Sequence, residues 1–160
     1  FTLESAQTII EVSGAPAQAI SQKSYPLSGT FGGYDVVLEH SGLYAGEAAT
    51  LKYTVNKDGE PVTTLSPWLS AAMHISVVAH TLETFVHTHG EVHPQGVALP
   101  PVRVRNGQVV HSMSSMQTPD SFGPVVEAHL VFPVPGLYTI WGEFRADGKV
   151  IPTSFTVRVQ

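Results

Sequence analysis

The sequence predicts an all-β domain, an antiparallel immunoglobulin-like (cupredoxin-like) β-sandwich. Three observations lead there. Gly (14) and Pro (12) interrupt the chain so often that no long helical period survives. The periodicity that does survive is strict alternation of apolar and polar residues, the mark of half-buried strands. Two-residue turn signals of the Asp-Gly and Asn-Gly kind separate these runs at short spacing.

The elements follow in order. "QTIIEV" (7–12) is a strand candidate, and "YDVVLE" (34–39) and "TLKYTV" (50–55) are stronger ones. "NKDGEP" (56–61) turns at Asp58-Gly59. "AMHISVVA" (72–79) and "TFVHTH" (84–89) read as a hairpin with a short polar link. "VRV" and "QVVHS" flank Asn106-Gly107 as a second hairpin. "VVEAHLVF" (125–132), "LYTIWGEFRA" (137–146) and "VIPTSFTVRV" (150–159) close the chain, with Asp147-Gly148 turning between the last two. Eight to ten strands favour a sandwich, with a closed barrel as second choice. Residues 1–160 form one domain, in which 1–33 is a partly irregular N-terminal arm. Residues 93–101 and 112–124 are the other long loops, the usual place for binding.

Composition narrows the function. The 160 residues suffice for one core. Charged residues are only 13%, and the eight Lys and Arg are scattered, which argues against a nucleic-acid surface. No apolar run is long enough for a membrane span. The absence of Cys excludes a disulfide framework, thiolate ligation, a Cys nucleophile and a blue-copper centre. The chain begins at Phe1, which a cleaved signal peptide or a cloning choice would each produce; export is an expectation.

Histidine is the outlier. There are eight, and His74, His80, His87, His89 and His93 fall within twenty residues. Alternation sends Met73, Ile75 and Val77 to the core and His74 to the opposite face. Val126, Ala128, Leu130 and Phe132 leave Glu127 and His129 facing away from the core. Phe85, His87 and His89 project together. If facing residue numbers in the hairpin sum to 161, His74 opposes His87; if they sum to 162, Met73 opposes His89. Either register brings two metal-capable groups within reach of one ion. Against this stands the plain reading of a surface His beside a hydrogen-bonded one.

The polar segment "HSMSSMQTPDSFG" (111–123) adds His111, Met113 and Met116. Thioethers there either tuck into the end of the sandwich or serve as soft donors to Cu(I); imidazole accepts both copper states. Zinc, which has little use for Met, is the alternative ion. His40 reads as a turn residue, His80 as an exposed link residue or a ligand, and Glu91 as a supporting or surface carboxylate. Trp68 and Trp141 read as core anchors or patches under loops.

"LSPWLSAAMHISVVAHTLETFVHTHGEVHP" (65–94) resembles the His-bearing hairpin of a family of small exported bacterial β-sandwich domains found with copper or heavy-metal handling proteins. "PVVEAHLVFPVPGLYTIWGEF" (124–144) resembles that family's closing segment, in which a His precedes FP-x-PGLY. "GTFGGYDVVLE" (29–39) and "AGEAATLKYTV" (45–55) fit its opening strands. The resemblance implies His74, His87, His89 and His129 as metal ligands, and Gly90 stands where the family has Pro, so either His89 or His93 is the equivalent ligand. A cupin would need a Glu further from the second His, and copper-zinc superoxide dismutase would need a disulfide. The expectation is a periplasmic or secreted copper-binding protein that carries or buffers the metal or confers resistance, with His74, His87, His89, His129, Met116, Met113 and His93 as donors. Its partners would be the metal ion and another metal-handling protein. The rival expectations are a metal-dependent enzyme of superoxide-dismutase-like or cupin-like chemistry and an adhesion or assembly module without metal.

Overall fold

The computed structural model describes residues 24–93 and 118–160, the isolated residues Thr8 and Ser13, and the backbone of 103–105 and 108–110. Its strands are β1 (Ser28–Phe31), β2 (Tyr34–Glu39), β3 (Ala48–Lys57), β4 (Glu60–Pro61), β5 (Met73–Ala79), β6 (Phe85–Glu91), β7 (Arg103–Arg105), β8 (Gln108–Val110), β9 (Val125–Val131), β10 (Gly136–Ala146) and β11 (Lys149–Val159). The fold is all-β and antiparallel, as the alternation predicts. The candidate strand at 7–12 lies outside the described residues. Residues 28–31, inside the expected irregular arm, form β1: Gly32-Gly33 makes the two-residue turn that folds it back on β2. Gly32-Gly33, Asp58-Gly59 and Asp147-Gly148 all have both residues left-handed, the twist a tight hairpin needs.

Eight strands follow one hydrogen-bonded path, β1-β2-β3-β9-β6-β5-β10-β11, with β4 attached to β3 and β7-β8 as a separate hairpin. The path rolls nearly into a barrel. Its two ends meet where Phe31 on β1 packs edge-on against Phe155 on β11, ring centroids 5.4 Å apart. Across the interior, Tyr34 on β2 meets Phe144 on β10 at 5.7 Å. Leu38, Leu51, Met73, Ile75, Ile140 and Phe144 are sealed in this core. Each such side chain contributes roughly 1.5–3 kcal/mol of burial, which is what holds the strands rigid enough to aim their outward residues.

Gly90 is the pivot of the wall that carries the histidines. It pairs with Met73 on β5 and with Ala128 on β9, so β6 passes from one neighbour to the other there. A Cβ at Gly90 would lie 2.4 Å from Val126 Cγ1 and 2.9 Å from Met73 Cβ. Only glycine lets the two flanking strands approach this closely.

Candidate metal centre

The outward faces of β5 and β6 carry a group of three imidazoles: His74, His87 and His89. Met73, Ile75 and Val77 do point inward, which leaves His74 outside. The hairpin register differs from both expected registers. Facing numbers sum to 163: His74 opposes His89, Ser76 opposes His87 and Met73 opposes Gly90. The link is longer than either assumed register requires, because Ala79 N–H donates to Thr84 O at 3.0 Å and Leu82 adopts a left-handed φ of 63°. A shift of two from the first register keeps the same face outward, so His74 exchanges one imidazole partner for another.

One potential ligand atom from each of these three rings lies within 4.8 Å of the other two. His87 Nε2 and His89 Nε2 are 3.2 Å apart. Two nitrogens bonded at about 2.0–2.1 Å to one tetrahedral ion would be about 3.3 Å apart. His74 and His89 rings cross at 79° with centroids 4.6 Å apart, and the His87 and His89 rings cross at 90°. Loss of hydration, then repulsion from His74, hold His87 below the ordinary imidazole pKa. His87 therefore stays neutral, with a lone pair to give, to a lower pH than a free imidazole.

His74 is oriented by the backbone. Its Nε2 lies 3.0 Å from Trp68 O. A carbonyl only accepts, so Nε2 carries the hydrogen and the neutral ring keeps its lone pair on Nδ1. Trp68 O is itself fixed by a tight turn: Trp68 and Ala71 exchange backbone hydrogen bonds of 2.9 and 3.0 Å around Leu69 and Ser70. Both turn residues are left-handed, at φ 48° and 68°. Non-glycine residues held there cost on the order of 1–3 kcal/mol each and concentrate at functional sites.

His129 and His93 do not join this group. With Glu91 they form a second one, ligand atoms again within 4.8 Å of one another. His129 sits on the outward side of β9 as alternation predicts, yet is only 7% exposed. Its Nδ1 shares a 3.0 Å hydrogen bond with Thr50 Oγ1 on β3. Glu91, expected as a supporting or surface carboxylate, is thus a candidate ligand. The side chains of Met113, Met116 and His111 lie outside the described residues.

The other described histidines, His80 and His40, take no part in these groups. His80 Nε2 is 3.0 Å from Thr139 Oγ1 at the far end of the hairpin. His40 Nδ1 accepts from Gly42 N at 3.2 Å, as a turn residue would. Trp141 is no core anchor: it is 42% exposed on the outer face, paired with Ser76, which faces His87. Glu143, opposite His74 on β10, was not singled out from sequence. The alternation of Trp141 and Glu143 against Ile140 and Phe144 is the signal that would have found it.

No helix among the described residues is long and apolar enough to cross a membrane. No curated protein matches the chain significantly. Among solved structures, the crystal structure of a DUF4426 family protein from Pseudomonas aeruginosa PAO1 is similar at 12% identity, with 82% of this chain and 94% of that chain covered and a TM-score of 0.48. The family model described as Domain of unknown function (DUF8832) matches residues 29–160, and the chain belongs to that family.

Proposed function

We propose that this protein binds copper through His74, His87 and His89 and carries, buffers or sequesters it in the periplasm. One observation carries the reading: the 3.2 Å gap between the Nε2 atoms of His87 and His89, with a His74 nitrogen within 4.8 Å. Three imidazole nitrogens on two paired strands suit either copper state. Met116, then Met113, are the soft donors the sequence offers to complete a Cu(I) shell. Export and delivery to another metal-handling protein rest on the resemblance of the hairpin and closing segments. The same reading takes the rolled sheet as a flattened cupredoxin-like sandwich, in keeping with side chains of β2 meeting those of β10 across the core.

Titration of metal-free protein with Cu(I) and with Cu(II) tests this. Uptake is expected, accompanied by quenching of Trp141 fluorescence. Negligible uptake of both ions would discard the reading in favour of an adhesion or assembly module. A metal-dependent enzyme is the second reading, favoured by Glu143 in register with His74, where a general acid or base would serve a metal-bound reactant. Redox or hydrolytic turnover by the copper-loaded chain, lost in Glu143→Gln, would select it over carriage.

A further inference from the structure

We propose that His129, His93 and Glu91 form a second metal site, separate from the three-imidazole group and suited to Zn2+. The first argument is the donor set. Two imidazoles and one carboxylate converge within 4.8 Å. Two nitrogens and one oxygen form a known zinc-binding set, and no soft donor is among them to favour Cu(I).

The second argument is electrostatic. Glu91 on β6 faces Glu127 directly across the ladder to β9. Like charges in facing positions destabilise a sheet. A dication beside them turns that repulsion into attraction. The third argument is satisfaction of buried polar atoms. His93 Nε2 and Glu127 Oε2 are both shut off from solvent without a hydrogen-bond partner. His93 Nε2 lies 3.8 Å from Glu91 Oε2, too long for a hydrogen bond but suited to two ligands of one ion. Each such buried atom is costly unless something pairs with it.

His129 is already positioned for the role. Its Nδ1 is held 3.0 Å from Thr50 Oγ1, and the tautomer that donates there presents the Nε2 lone pair, the arrangement that orients metal-bound imidazoles. Glycine at position 90 places Glu91 over β9 while His89, one residue earlier, stays over β5. One strand thus serves two sites.

The test is zinc titration by calorimetry of the full chain carrying His87→Ala and His89→Ala, which removes the first group, so it is independent of the copper reading. One equivalent of Zn2+ is expected. Adding Glu91→Gln or His93→Gln should each weaken binding at least about tenfold, since even groups that merely orient a ligand are worth that much. In the His87→Ala/His89→Ala chain, Zn2+ should also raise the melting temperature, and adding Glu91→Gln, a substitution of nearly the same shape, should remove most of that rise. No zinc uptake by the His87→Ala/His89→Ala chain, or affinity indifferent to both further substitutions, overturns the proposal.

Discussion

Two polar clusters on this sheet answer the same problem in opposite ways. Asp147 Oδ2 accepts from Lys57 Nζ at 2.8 Å and from Tyr34 OH at 2.7 Å, while Lys57 also lies 4.9 Å from the centre of the Tyr34 ring. A cation, an anion and a phenol complete one another. The hydrogen bond from Lys57, followed by that from Tyr34, holds the Asp147 carboxyl below its ordinary pKa. The group of His74, His87 and His89 brings together three rings of one kind. Protonating one penalises protonation of the next, and this repulsion from His74 adds to the larger effect of lost hydration in lowering the His87 pKa. A cluster of complementary charges is finished by its own members. A cluster of bases holds only like groups, and on the copper reading a cation from outside completes it.

The largest expected effect separates the two clusters outright. His87→Ala should weaken copper binding at least about 100-fold, beyond what groups that merely orient a ligand contribute. It should leave metal-free stability within about 0.5 kcal/mol, the usual range for a surface substitution. Competition against a chromophoric chelator and urea unfolding measure the two quantities. Copper affinity unchanged in His87→Ala would remove the contrast between the clusters.

Gly90→Val is next, because it attacks the geometry beneath both metal-capable groups. Its side chain would enter the space of Val126 and Met73. Overpacking of this kind costs about 1–3 kcal/mol, readable as a lower urea midpoint. Metal binding at His89 and at Glu91 should weaken together, whereas the Lys57–Asp147 pair, two strands away from β6 on either path, should keep its contacts.

How much of this was legible in the sequence follows from what a side-chain period can encode. Alternation located β2, β5, β9, β10 and β11 closely and sent His74, His87 and His89 to the outer face, because one face of each strand is sealed. Register depends on the hairpin link, and His80 to Thr84 gave no turn signal strong enough to fix it; hence the sum of 163 instead of 161 or 162. The separation of His129 from the three imidazoles depends on β6 changing partners at Gly90. That crossing is set by close packing with Val126, a contact between residues far apart in sequence. β1 escapes the alternation because the Gly/Pro-bearing stretch before it reads as one irregular arm, although Gly32-Gly33 announces the turn and the family resemblance counts residues 29–39 among the opening strands.

Acid sharpens the comparison by giving each cluster its own window. Copper must compete with protons for imidazole nitrogens, so affinity should drop between about pH 7.5 and about pH 5, around the ordinary imidazole pKa near 6.5. Equal affinity at both would count against imidazole ligation. In the metal-free protein, His87 favours its neutral form in the fold. The unfolded chain therefore binds the proton first, and stability declines as pH falls below about 6.5 until His87 itself protonates.

Asp147 works in a lower window and gives the smallest effect. Its folded pKa lies below the unfolded value, so its contribution is present above about pH 3.9 and is lost as pH falls through the folded pKa. Asp147→Asn removes that contribution. Both Asp147 and Lys57 are exposed, and solvent screens such pairs. The variant should therefore melt only slightly lower than wild type near neutral pH, and the difference should vanish below the carboxylate range. Copper and zinc affinities should not move, because this cluster satisfies its own members. A change in metal affinity in Asp147→Asn would mean that the two clusters communicate through β10, on which both Asp147's turn and Glu143 depend, and that the self-contained cluster is part of the site.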